Sequence, residues 1–95
     1  MEFTRTITTS DEFKKVFGAF HGWVKPALME NIMRFIDAGS VAYCNANPVN
    51  MKWDGSLHIK FATPPGAKEL CNDILSLARA DSFNMTDDTL ELWWD

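Results

Sequence analysis

Hydrophobic and polar residues alternate along three stretches of the chain, and this period of two is typical of β-strands with one buried face. These stretches are residues 2–8, 51–62 and 89–95. Residues 40–46 are apolar on both faces, which indicates a strand in the interior of a sheet. The Asp54-Gly55 pair in the second stretch is a hairpin signal, because these residues accept the positive φ of a tight turn. The pattern therefore predicts four strands.

Apolar residues spaced three or four positions apart predict three helices. Thr9 and Glu12 have the spacing of a capping box, so the first helix is expected to begin near Ser10. Pro26 cannot continue this helix but fits the first turn of another, so the first helix is split in two. A further helix is predicted from about residue 66 to residue 80.

In chain order these elements are strand, split helix, strand, strand, helix and strand. This order predicts one α+β domain over residues 1–95 with a ferredoxin-like βαββαβ fold, in which the helices cover one face of a four-stranded antiparallel sheet. The opposite face of such a sheet is left without helices. An alternative remains at residues 49–53, where an extra short strand would change the middle hairpin into a meander.

The balance of charges limits the classes of function. Thirteen acidic and nine basic residues give a net charge of −4, which argues against direct binding of nucleic acid because phosphates need a basic surface. The chain carries no Lys or Arg after Arg79, whereas five acidic residues lie beyond it. A protein with a basic surface, for example one that handles nucleic acid, is therefore the expected partner.

Neither a membrane segment nor a metal or cofactor site is expected. No apolar run reaches the roughly 18 residues of a membrane span, and the N-terminus lacks an apolar signal core, so we expect a cytoplasmic protein. The two histidines and two cysteines are scattered, without a pair of metal ligands on one element. Cys44 and Cys71 are expected to be reduced thiols in the core.

The C-terminal strand carries two tryptophans that cannot share a face. Alternation places Trp94 in line with Leu90, toward the core. Trp93 then points to the opposite face, beside Glu91. Trp93 is expected either at a binding surface or packed over Tyr43 or a loop of the same molecule.

These features predict a small non-enzymatic module for protein–protein interaction, such as an inhibitor or regulator. It would dock the uncovered sheet face and the acidic, Trp-bearing C-terminal strand on a basic surface of its partner. The residues predicted to contact the partner are Trp93, Glu91, Asp95, Asp87, Asp88, Lys60 and His58. Pairing of two copies through the same face, as a C2 homodimer, is a second outcome of such a surface.

The alternative is a small ligand-binding domain or enzyme. Its cleft would lie near His21, Trp23 and Lys25, in the break between the two halves of the first helix. His21 is the candidate general base of this alternative, although no neighbouring motif supplies a nucleophile or an orienting partner. Loss of activity in a folded His21→Ala variant is the result that this alternative predicts.

Overall fold

The computed structural model describes residues 3–20, 22, 24–62, 74, 76, 78–86 and 88–94. Within them, a five-stranded antiparallel sheet carries helices on one face. The elements are β1 (Arg5–Ile7), α1 (Ser10–Phe17), a short 3₁₀ helix (Gly18–Phe20), α2 (Pro26–Asp37), β2 (Val41–Asn47), β3 (Lys52–Lys60), β4 (Ser82–Met85) and β5 (Thr89–Trp93).

The strands lie in the order β1, β2, β3, β5, β4, and every neighbouring pair is antiparallel. The predicted α+β class and antiparallel sheet are thus confirmed, but the ferredoxin-like βαββαβ fold and its four strands are wrong. A split βαβ unit keeps its two helix-linked strands apart, with another strand between them. Here the chain passes from β1 through α1 and α2, and β2 returns antiparallel to β1 and pairs with it directly at the sheet edge.

The predicted helix starts are confirmed. α1 begins at Ser10, and the Thr9 hydroxyl accepts a hydrogen bond from the Glu12 backbone N–H at 3.2 Å. α2 begins at Pro26. The predicted helix at residues 66–80 lies mostly outside the described residues. Those of its residues that are described as helical are Ile74, Ser76 and Ala78. None of the described helices is long and apolar enough to cross a membrane.

The alternation pattern did not reveal β4. This strand has only four residues, so the alternation of Phe83 and Met85 with polar residues spans just two repeats and is a weak signal in the sequence. Its hairpin with β5 is closed by a hydrogen bond of 2.9 Å from the Thr86 backbone N–H to the Thr89 carbonyl oxygen. The fifth strand of the sheet is therefore a short edge strand on the far side of β5.

The prediction that Asp54-Gly55 forms a hairpin turn is wrong. The chain turns earlier, in the NPVN segment, where Asn47 Oδ1 accepts hydrogen bonds from two backbone N–H groups at 3.0 and 3.3 Å. β3 begins before the Asp54-Gly55 pair and runs through it with a shift of register. Gly55 has a φ of 83°, and the Trp94 N–H donates to its carbonyl oxygen at 2.8 Å. A Cβ here would collide with the Trp94 carbonyl, so glycine allows the end of β5 to approach β3.

The hydrophobic core lies between the helices and the sheet, and it contains Trp94 as predicted. Trp94 is 7% exposed, and its indole N–H donates to the Ala78 carbonyl oxygen at 2.9 Å. The ring of Trp53 lies 5.4 Å from the ring of Trp94 and 5.5 Å from that of Phe17, which it meets edge-on. Two of the four tryptophans are therefore part of an aromatic cluster inside the protein.

Candidate partner-binding face of the sheet

The face of the sheet opposite α1 and α2 is formed by alternate residues of all five strands. One cross-strand row runs through its middle, and two aromatic side chains flank this row. We call the resulting surface the open face; it comprises Thr6, Tyr43, His58, Glu91 and Asn84 in the row, with Phe3 and Trp93 beside it. Because β3 is the central strand, His58 lies at the middle of the open face.

His58 is a buried side chain of the open face, with 7% of its surface exposed. Its Nδ1 atom lies 3.5 Å from Glu91 Oε1. The Phe3 ring centre lies 4.7 Å from that of the imidazole, and Trp93 meets the imidazole edge-on at 5.8 Å. The Nε2 atom is buried and has no hydrogen-bond partner among the described residues. Since buried polar atoms are nearly always paired, this nitrogen is an unusual feature of the surface.

Trp93 lies on the open face, where the alternation along β5 places it. It is opposite Ser56 of β3 and Ser82 of β4, and it is half-buried. Its ring packs edge-on against His58. Within the chain, the ring of Trp93 therefore packs against His58 and not over Tyr43. A role of Trp93 in binding stays a prediction.

Phe3 belongs to the open face, which the alternation of residues along the chain does not predict. The alternation over residues 2–8 groups Phe3 with Arg5 and Ile7, but β1 begins only at Arg5 and the alternation does not extend back to Phe3. The Phe3 ring instead lies 5.6 Å from the ring of Tyr43 and close to His58. This placement depends on residues distant in the chain, so local periodicity cannot reveal it.

A cluster of polar groups supports the open face beside the register shift of β3. Asp54 Oδ1 accepts hydrogen bonds from the Ser56 hydroxyl at 2.7 Å and the Ser56 backbone N–H at 2.9 Å. Asp54 Oδ2 accepts another from the Asn45 side-chain amide at 2.9 Å. Burial acts to raise the pKa of Asp54, but these hydrogen bonds and the nearby His58 outweigh it, so the pKa lies below its ordinary value. Asp54 therefore adds negative charge near His58.

Two of the acidic residues predicted to contact a partner are engaged within the chain. Glu91 places Oε1 near His58, and the Asn84 side-chain amide donates to its Oε2 at 3.4 Å. Asp88 precedes β5, where its Oδ1 accepts a hydrogen bond from the Thr89 hydroxyl at 3.1 Å. Glu91 thus helps to organise the open face in addition to giving it charge.

The remaining predicted site residues are spread over the molecule. Lys60 is exposed at the end of β3, opposite Val41 and Thr89. Lys25 is exposed and precedes α2, where its side chain makes no capping hydrogen bond. The predicted site residues that lie outside the described part of the chain are Asp87, Asp95, His21 and Trp23. The alternative cleft around His21 and Trp23 therefore stays a prediction.

A groove of about 940 Å³ lies between β1, α1 and the turn after β2. Its walls are formed by Arg5, Asp11, Glu12, Lys14, Lys15, Val16, Pro48 and Val49. Arg5 is fixed there by a hydrogen bond of 2.8 Å from its Nε to the Ala46 carbonyl oxygen. Because three cationic and two anionic side chains line this open groove, its charges nearly balance and favour no particular ligand.

Two observations bear on chemistry at the described residues. No three His, Cys, Asp or Glu side chains in the described ranges are grouped so that they could hold a metal ion. Burial raises the pKa of Cys44 to about 11, so its thiol stays protonated and is a poor nucleophile.

Comparison of the chain with known protein families, with curated proteins and with solved structures finds no match.

Proposed function

We propose that the protein is a cytoplasmic, non-enzymatic module that binds another protein through the open face. The observation that carries this proposal is the position of Trp93. Its side chain is half-buried on a sheet face over which no described helix packs, and its ring is held edge-on against His58. A tryptophan held in this way offers a large contact area at a small loss of side-chain entropy, which is why tryptophan is frequent among binding hot spots.

The shape of the open face supports a protein partner more than a small ligand. Small-molecule sites enclose most of their ligand in a concave cavity. The aromatic side chains of the open face lie across a sheet, while the groove of about 940 Å³ lies elsewhere, between β1 and α1. A broad face with fixed aromatic side chains is typical of a surface that binds another protein.

The charge of the molecule supports a partner with a basic surface. The net charge is −4, and Glu91 and Asp54 place two carboxylates near His58. Opposite charges accelerate association and disfavour the wrong partners. A protein that handles nucleic acid carries such a basic surface, and covering it would make this module an inhibitor or regulator.

Affinity capture from a lysate of the natural environment tests the proposal. Wild type is compared with Trp93→Ala and with Phe83→Ala, all confirmed to be folded by circular dichroism. Phe83 is a matched control because it is an aromatic residue that is 55% exposed but lies opposite Leu92, on the helix side of the sheet. We expect a partner, identified by mass spectrometry, that wild type and Phe83→Ala retain and that Trp93→Ala loses.

Two results of this capture would contradict the proposal. A specific partner retained equally by wild type and Trp93→Ala would exclude Trp93 as the anchor, and loss of the partner by Phe83→Ala would move the interface to the helix side. Light scattering on the same variants shows whether the captured partner is a second copy of the chain. If the wild type is a dimer and Trp93→Ala is a monomer, the partner of the open face is a second copy of the chain and not a different protein.

A further inference from the structure

His58 Nε2, at the centre of the open face, is a hydrogen-bonding atom without a partner among the residues that the structure describes. The side chain is 7% exposed, and no group among the described residues donates to Nε2 or accepts from it. In the neutral imidazole, the Glu91 carboxylate, 3.5 Å from Nδ1, favours the tautomer with its proton on Nδ1, and this tautomer has a free lone pair on Nε2. A buried acceptor without a partner costs free energy, so the open face is stabilised when a donor reaches this nitrogen.

The surroundings of Nε2 favour a donor that carries positive charge. Tyr43 is the cross-strand neighbour of His58, and the Trp93 ring lies 5.8 Å from the imidazole. Cations are attracted to the faces of such aromatic rings. Glu91 and Asp54 add negative charge next to the imidazole. A guanidinium group combines N–H donors, positive charge and a planar shape that stacks on aromatic rings, so arginine meets all three conditions.

Phe3 lies beside His58 in the structure, with its ring 4.7 Å from the imidazole and 5.6 Å from the Tyr43 ring. It precedes β1, an edge strand of only three residues. Thr4 holds this segment through its backbone N–H, which donates to Asn45 Oδ1 at 2.8 Å, and its hydroxyl, which donates to the Cys44 carbonyl oxygen at 3.3 Å. Because the Phe3 side chain has no hydrogen-bonding group, it encloses His58 without pairing with Nε2.

We infer that Tyr43, His58, Glu91 and Trp93 form a subsite for an arginine side chain of the partner, and that Phe3 is displaced when this arginine binds. The inference rests on the proposed function and names the chemistry that the open face recognises in its partner. Arginine donates an N–H group to Nε2 and stacks on the aromatic rings, which replaces the apolar contact made by Phe3. Phe3 acts as an intramolecular competitor, so the fraction of molecules with Phe3 displaced sets the apparent affinity.

A small probe tests the subsite without the natural partner. Nα-acetyl-arginine methylamide is titrated into ¹⁵N-labelled protein while the imidazole nitrogens of His58 and the indole N–H of Trp93 are observed by NMR. The matched probe is the citrulline analogue, which has nearly the same shape but no charge. We expect both signals to shift with the arginine probe and the citrulline analogue to bind about tenfold more weakly, because it lacks the cation–π attraction.

Variants of Phe3, which encloses His58, and of Glu91, which is negatively charged, complete this test. Phe3→Ala removes the competitor and is expected to raise the affinity for the arginine probe about fivefold. Phe3→Leu keeps an apolar side chain over the imidazole and is expected to bind as wild type does. Glu91→Gln is expected to weaken binding, because it removes negative charge while keeping the size of the side chain.

Equal affinity for the two probes would overturn the inference, and so would unchanged affinity in a folded Phe3→Ala variant. Either result would leave the proposed function standing, because that proposal is tested by the loss of the captured partner in Trp93→Ala. Conversely, the arginine probe could shift the His58 signals while Trp93→Ala still retains the captured partner. That result would support the arginine subsite and overturn Trp93 as the anchor of the partner.

Discussion

At the scale of single residues, the two adjacent tryptophans have different surroundings because β5 directs them to opposite faces. Trp94 donates a hydrogen bond to the Ala78 carbonyl oxygen inside the core, whereas Trp93 lies half-buried against His58. This difference could be predicted from the sequence because it depends only on the local period of a strand. The contact of Phe3 with His58 could not, because it depends on two segments that are far apart in the chain.

The two tryptophans should therefore differ in their contribution to stability. Trp94→Ala should lower the free energy of unfolding by about 3–5 kcal/mol, because it leaves a cavity in the core and removes the hydrogen bond to Ala78. Trp93→Ala should lower it much less, because this side chain is already half-exposed. Urea unfolding followed by circular dichroism measures both changes. Large and equal losses would contradict the assignment of Trp93 to the open face.

Asp54 should make the fold sensitive to acid. Its pKa in the folded protein lies below the ordinary value of 3.8, so the ionised side chain contributes stability that is fully present above that value. This contribution is lost as the pH falls through the lower folded pKa. Asp54→Asn should therefore lose less stability than wild type between pH 7 and acid pH, as measured by urea unfolding across the pH range. Identical pH profiles would show that the hydrogen bonds to Asp54 do not favour its ionised form.

At the scale of secondary-structure elements, the starts of the helices could be predicted but the order of the strands could not. α1 begins after the capping residue Thr9 and α2 begins at Pro26, and both signals are local. The direct pairing of β1 with β2 is a choice between distant segments that no local pattern encodes. The Asp54-Gly55 pair also could not be assigned from the local pattern. A glycine with positive φ fits an irregular strand as well as a hairpin turn, and the sequence does not distinguish the two.

Of the four glycines that the structure describes, Gly55 should be the one at which substitution costs most. Gly55→Ala should destabilise the fold by at least about 2 kcal/mol, because alanine is strained at a φ of 83° and its Cβ would collide with the Trp94 carbonyl. Gly18→Ala is the matched control, since Gly18 has a φ of −60° and no atom near the position of a Cβ. Gly18→Ala should be neutral or stabilise by up to about 1 kcal/mol. Similar thermal unfolding of the two variants would contradict the close approach of β5 at Gly55.

At the scale of the whole molecule, the sheet separates a side packed against the helices from the open face. The helices enclose the aromatic cluster around Trp53 and Trp94 on one side. On the other side, the open face carries Trp93 against His58, with the carboxylates of Glu91 and Asp54 near that histidine, in a molecule with a net charge of −4. Composition predicts an acidic module with a basic partner, but only the fold shows that His58 lies enclosed at the centre of this surface. Among the described residues its Nε2 has no hydrogen-bond partner, and the proposed arginine subsite is built on that atom.

The dissociation constant of the captured partner, measured by calorimetry for wild type and Trp93→Ala, tests the docking role of the open face most directly. We predict that Trp93→Ala weakens binding by about thirtyfold or more, the loss expected when a hot-spot residue worth about 2 kcal/mol is removed. Phe83→Ala should leave the constant unchanged, because Phe83 lies on the helix side of the sheet. An equal dissociation constant for wild type and a folded Trp93→Ala variant would contradict docking through the open face.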